Sequence, residues 1–177
     1  DEKGYAMHHD AEEPSCEYVV LNTWGFICDA MEEDIKMVLS LVQRKEGGNV
    51  GKIAVMGCMS QRYLDQLKPE FPGGDYWYGK FDWDAFTGML PDVSGGHKPI
   101  PDWDRTITTP PHSAYLTISE GCNRFCAFCA IPLIPGRHTS RPVEEIPDEV
   151  RELGSRGVTE FNVIAQDLSS YGTEPAG

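Results

Sequence analysis

The sequence predicts an α/β protein in two parts. The first is a small parallel-sheet domain over residues 1–90, and the second is the opening strand–helix–strand of another α/β domain over residues 114–177. Three observations carry this reading. Short β-branched runs alternate with amphipathic stretches, a Pro- and Gly-rich segment without periodicity covers 91–113, and three cysteines crowd a loop directly after the first strand of the second part.

In the first part, Glu17 to Asn22 (EYVVLN) reads as a buried strand, followed by a turn at Trp24-Gly25. Asp29 and Glu32 have the spacing of a capping box, with Asp29 as N-cap. The helix that follows runs to about Glu46, turns Met31, Ile35, Val38, Leu39 and Val42 to one face, and is stopped by Gly47-Gly48. Lys52 to Met56 (KIAVM) is the second strand, with Gly57-Cys58 just past its end. A short helix from about Ser60 to Lys68 ends at Pro69, Asp75 to Tyr78 forms a third strand, and Phe81 to Leu90 another short helix. In parallel sheets, sites gather at the carboxyl ends of the strands, where Trp24 and Cys58 both fall.

Residues 91–113 read as a linker. Tyr115 to Ile118 is then a strand, and Glu120 to Gly136 a long loop holding three cysteines. Pro142 opens a helix to about Leu153, in which Pro147 predicts a kink or a tight first turn. Glu160 to Ile164 (EFNVI) is the last strand, and one strand–helix–strand does not close a barrel.

The formal net charge is −13, so the electrostatic term that drives most nucleic-acid binding is missing. Arg137, His138 and Arg141 form one local basic cluster, which reads equally as a solvated loop. No apolar run approaches the roughly 20 residues of a membrane span. The polar first residues show no secretory pattern, which favours a cytoplasmic location.

The six cysteines are Cys16, Cys28, Cys58, Cys122, Cys126 and Cys129. The last three have the spacing C-x3-C-x2-C, which suits a metal or cluster better than a disulfide framework. One tight loop can wrap three thiolates around a face of a [4Fe–4S] cluster and leave the fourth iron open. S-adenosylmethionine can bind that iron, and an electron from the cluster then cleaves the sulfonium to give a 5′-deoxyadenosyl radical. Two readings compete. Zinc asks for a fourth ligand, which His138 would have to supply, and the thiols could simply be core. Phe128, beside the third cysteine, is a candidate to pack on the adenine.

The stretch SEGCNRFCAFCAIPLIPGRHTSRP, Ser119 to Pro142, closely resembles the methylthiotransferase branch of radical-SAM enzymes. Val19-Val20-Leu21-Asn22-Thr23 and Val55-Met56-Gly57-Cys58 are similar to that family's N-terminal domain. The resemblance implies a methylthiotransferase-type N-terminal domain followed by the start of a radical-SAM (β/α) partial barrel. Ala130-Ile131-Pro132-Leu133-Ile134 and Ile164-Ala165-Gln166-Asp167 look like the ribosomal-protein (RimO) type rather than the type that modifies a transfer-RNA adenosine. That type methylthiolates the β-carbon of an aspartate in a small-subunit ribosomal protein. It implies two clusters, two molecules of S-adenosylmethionine, and an electron donor and sulfur source that the residues do not identify. Gln166 and Asp167 are implied to contact the amino group of the methionine moiety, or else to cap a turn.

The chain also departs from the family. The second cluster should have Cys58 as one ligand, but Trp24 stands where another belongs, and tryptophan cannot ligate iron. A further ligand belongs to a segment upstream of Gly4. Cys28, near a helix N-terminus, is the better placed of the two remaining thiols and Cys16 should sit at the opposite end of the first strand, but both are expected to be structural. Pro135 replaces a basic residue. The rest of the barrel and the family's C-terminal substrate-binding domain do not follow, so a truncated chain, inactive alone, or a non-catalytic iron–sulfur remnant is the expectation.

Overall fold

A computed structural model describes residues 4–80, 82–91 and 105–173. The chain divides into two compact units, Asp1–Lys98 and Pro99–Gly177.

The first unit holds strands β1 (Cys16–Thr23), β2 (Val50–Gly57) and β3 (Tyr76–Trp77), and helices α1 (Cys28–Glu46), α2 (Cys58–Glu70) and α3 (Trp83–Met89). The sheet is parallel in the order β1-β2-β3. The central strand β2 is covered on both faces, with Ile53, Ala54, Val55 and Met56 all buried, the pattern of a parallel sheet flanked by helices. Val38 and Leu41 of α1 pack with Val50, Ile53 and Val55, and Val19, Leu21, Val42, Phe71 and Trp77 close around them.

Three local expectations change. Helix α1 begins two residues earlier than a cap at Asp29 would have it, because the Met31 N–H donates to the Ile27 carbonyl at 3.0 Å. Ile27 is therefore the N-cap and offers no side-chain cap, leaving Asp29 to favour the helix through the positive end of its dipole. The buried stripe runs through Leu41, not Leu39, which is exposed. Helix α2 starts at Cys58 and carries Pro69 inside its last turn, ending one residue beyond it. Phe81, the expected start of α3, lies outside the described residues, and the helix begins at Trp83.

Asp75 ties three elements of this unit together. Its Oδ2 accepts from the Ile53 N–H at 2.9 Å and from Lys45 Nζ at 2.5 Å, and its Oδ1 from Lys52 Nζ at 3.0 Å. Burial alone would push this carboxyl up, but the hydrogen bonds from Lys45, Ile53 and Lys52 outweigh it and hold the group below its ordinary value of 3.8. A depressed carboxyl contributes stability that is complete above its unfolded value and is lost as pH falls through the folded one. Asp75→Asn should therefore cost about 2 kcal/mol at neutral pH. It should also remove part of the acid sensitivity below about pH 4. Urea melts across that pH range check both effects.

The second unit pairs β4 (Ser113–Thr117) with β7 (Glu160–Ile164) in parallel, with α4 (Glu145–Ser155) between them in the chain. Ala114, Leu153 and Val158 form its core, against which Ile107 and Phe161 pack. Residues 105–113, read from sequence as the end of the linker, thus belong to this unit, and the His112 carbonyl accepts from the Thr159 and Glu160 N–H groups. Residues 92–104 of that segment lie outside the described residues. Pro147 is the third residue of α4, where its missing donor costs nothing. The tight first turn is found there and no kink.

The buried Glu149 of α4 receives two arginines. Arg141 Nη1 lies 2.6 Å from its Oε2 and Arg105 Nη2 3.3 Å from its Oε1. Arg141 also donates to the Thr117 carbonyl and Arg105 to the Tyr115 carbonyl, so the acid links α4 to the end of β4. The basic cluster read from sequence is thereby dispersed: Arg141 is in this triad, His138 is buried, and the Arg137 guanidinium lies over the Phe125 ring.

Candidate metal centre

The cysteine loop is clamped at its base by two short strands that the sequence reading did not predict. Strand β5 (Ser119–Glu120) pairs antiparallel with β6 (Thr139–Ser140). Two residues are too few to show a strand period. Between them the chain needs Gly121, whose φ is +74° and whose added Cβ would lie 2.2 Å from the Arg137 carbonyl oxygen. The Cys122 N–H donates to the Gly136 carbonyl at 3.2 Å, and Asn123 Oδ1 accepts from the His138 N–H at 3.2 Å.

Within this frame the three cysteines sit differently. Cys122 is buried, Cys129 half-buried and Cys126 exposed. A turn joins the last two, with the Cys129 N–H donating to the Cys126 carbonyl at 3.0 Å. The Arg124 N–H points at Cys122 Sγ at 3.5 Å. Phe125 holds a left-handed φ of +47°, uncommon for a bulky residue, under the Arg137 guanidinium 5.6 Å from its ring centre. Phe128 is 96% exposed.

The turn after β7 reaches this loop. Gln166 Oε1 accepts from the Gly121 N–H at 3.1 Å, and its Nε2 donates to Glu120 Oε2 at 2.8 Å. Asp167 is buried against Arg124, which donates from Nε at 2.8 Å and Nη2 at 3.2 Å. Hydrogen bonds from Arg124, Ser169 and Ser170, with the Arg124 charge, hold the Asp167 carboxyl far below the usual carboxylate range. Arg124 is stabilised as a cation first by Asp167 and then by Cys122 and Cys126. An open pocket of about 210 Å³ lies beside Gln166, lined also by Thr117, Glu120, Ile164 and Ala165 at the carboxyl ends of β4 and β7.

The donor chemistry fits an iron–sulfur cluster: three thiols on one loop, with a backbone N–H directed at one sulfur. Among the described residues, no three Cys, His, Asp or Glu side chains stand in a ready-made ligand arrangement. Nor do they offer the four gathered ligands of a structural zinc site.

The remaining cysteines lie in the other unit. The register of Thr23 against Gly57 sets Trp24 and Cys58 side by side at the carboxyl ends of β1 and β2. Gly25 lies on the Cys58–Met59 peptide so closely that a Cβ would meet the Cys58 carbonyl carbon at 2.6 Å. Cys58 is buried, whereas the Trp24 side chain is half-exposed with its ring 5.3 Å from that of Phe26. Cys28 is the exposed first residue of α1, and Cys16 is at the far end of β1, where burial pushes its thiol up.

Comparison with known proteins matches the same two segments. Residues 1–79 match the uncharacterized protein family UPF0004, and residues 116–174 match the radical SAM superfamily. Over 98% of its length the chain is 54% identical to the ribosomal protein uS12 methylthiotransferase RimO of Bacteroides fragilis. The chain thus carries a UPF0004 segment and a radical SAM segment, and along nearly its whole length it is similar to radical-SAM methylthiotransferases. Relatives of the same name from Phocaeicola vulgatus, at 52% identity over 97% of the chain, and Porphyromonas gingivalis, at 47% over 98%, show the same similarity. The chain spans about two fifths of the length of these curated relatives, 40%, 39% and 39% respectively. The radical SAM match implies a [4Fe–4S] cluster and S-adenosylmethionine in general terms. No helix among the described residues is long and apolar enough to cross a membrane.

Of the residues singled out from sequence, Cys122, Cys126, Cys129, Phe128, Gln166 and Asp167 share one region of the second unit, and Cys58 does not. Sequence reasoning missed Arg124 and Asn123, which hold the loop. Their only signal is a position between two cysteines, which says nothing about partners more than ten residues away.

Proposed function

We propose that this chain forms the cluster-bearing part of an enzyme that methylthiolates an aspartate β-carbon in ribosomal protein uS12, in the cytoplasm. The observation that carries the reading is the coincidence of two facts. The C-x3-C-x2-C loop falls inside the radical SAM match, and relatives sharing about half of the chain's residues are named for uS12. Cys122, Cys126 and Cys129 would hold a [4Fe–4S] cluster, which would supply the electron that cleaves S-adenosylmethionine. The pocket at the ends of β4 and β7, with Gln166 on its wall and the exposed Phe128 nearby in sequence, is the proposed place for that ligand. The acidic chain and the substrate for which its relatives are named both support a protein target over transfer RNA.

Trp24 supports one cluster per chain, since it occupies the sheet-end position beside Cys58 with a side chain that cannot ligate iron. The test is iron and acid-labile sulfide after anaerobic reconstitution, with spectra before and after adding S-adenosylmethionine. About four irons per chain and a ligand-induced spectral change are expected. Zinc without sulfide would overturn the reading, and about eight irons would overturn the single cluster.

A further inference from the structure

Two adjacent side chains after β7 hold the cysteine loop on both sides of Cys122. Gln166 takes the Gly121 N–H at 3.1 Å and Glu120 Oε2 at 2.8 Å, just before the cysteine. Asp167 takes Arg124, just after it, through two bonds of 2.8 and 3.2 Å. Arg124 Nη2 also donates to Ser169 Oγ at 2.9 Å, and Ser169 and Ser170 each donate to Asp167 at 2.8 Å. We propose that Gln166 and Asp167 are positioning residues that fix the segment carrying Cys122 and Cys126, with Arg124 as the handle they grip. The inference rests on the reading of these cysteines as cluster ligands and assigns what holds them.

Geometry and chemistry favour this over an incidental ion pair. Exposed pairs contribute little because solvent screens them and both side chains stay mobile. Here the Arg124 side chain is 62% exposed, but its partner Asp167 is only 8% exposed and accepts from four donor atoms on three residues. The two Arg124 bonds use Nε and Nη2 against both carboxylate oxygens, a fork that a lysine cannot reproduce. The Arg124 backbone N–H points at Cys122 Sγ, so a shift of this residue moves a group in contact with the thiol. Asp167 does not line the neighbouring pocket. It therefore acts through Arg124, whereas Gln166 both lines that pocket and holds the loop.

The test uses the whole chain with Asp167→Asn, Arg124→Gln and Arg124→Lys, and with Arg151→Ala as control, since Arg151 pairs with the exposed Asp148 on α4. Two quantities are read: amide exchange of residues 121–129 in metal-free protein, and the rate at which a reconstituted cluster is lost to a chelator. Asp167→Asn and Arg124→Gln should speed both about tenfold, the size expected for losing a charge-assisted hydrogen-bonded pair. Arg124→Lys should fall between, and Arg151→Ala should match the native chain. Native-like exchange in Asp167→Asn would overturn the proposal, even if cluster loss changed. If the native chain takes up no iron, the cluster reading fails by itself, and the exchange data alone decide on the grip. If Asp167→Asn does not fold, Arg124→Lys decides: intermediate exchange supports the grip and native exchange overturns it.

Discussion

Cys126→Ala is expected to abolish cluster assembly, taking iron from about four per chain to a small residue and, in the full-length protein, cleavage of S-adenosylmethionine down by more than about 100-fold. The size of the effect follows from the ligand count. A site-differentiated cluster has three protein ligands and one open iron, so losing one thiolate leaves two corners without protein and no fixed orientation for the ligand. Cys126 is the most informative of the three because it is exposed, so removing its sulfur opens no cavity and leaves the fold intact. Cys122→Ala touches a buried side chain and mixes loss of a ligand with loss of packing. Cys16→Ala and Cys28→Ala should leave the iron count unchanged, because both lie at exposed element ends in the other unit. Iron, sulfide and nucleoside product measured on the same samples check these outcomes. A Cys126→Ala chain that keeps full iron and full cleavage would remove that residue from the ligand set.

The parallel sheet, the strand–helix–strand of the second unit and the position of the cysteine loop were all legible because each leaves a local trace. EYVVLN and KIAVM are runs of β-branched and aliphatic residues bounded by turns, and C-x3-C-x2-C is a spacing with few chemical uses. What was not legible depends on pairing across the chain. Arg124 finds Asp167 43 residues away, and Glu149 finds Arg105 44 residues away. A charged residue in a sequence reads as solvated unless its partner is known, which is why Arg141 was placed in a basic patch and is found paired with the buried Glu149. Asp29 shows the same limit at short range. Its spacing to Glu32 suits a capping box, but the helix starts where the Ile27 carbonyl meets the Met31 N–H, and that depends on how the chain leaves β1.

Glu149→Ala is expected to destabilise the second unit by about 3–5 kcal/mol, the cost of breaking a buried ion pair by removing one partner. The Glu149 side chain is only 3% exposed, while its partners Arg141 and Arg105 are 25% and 38% exposed. Removing the acid therefore leaves two guanidinium groups near the core with no counter-charge. Both arginines also donate to carbonyls of β4, at Thr117 and Tyr115. The strand that begins the second sheet and leads directly into the cysteine loop loses its tie to α4. Glu149→Gln keeps the volume and one acceptor oxygen, and should cost less, about 2 kcal/mol. Urea unfolding of the whole chain, followed by a probe in the second unit, separates the two variants. The first unit's transition should stay where it is, because Asp75, Lys45 and Lys52 are untouched. A smaller cost in Glu149→Ala than in Glu149→Gln would mean that the arginines find water or other acceptors once released. The triad would then be a surface feature and not the hinge pin between α4 and the strand that carries the cluster loop.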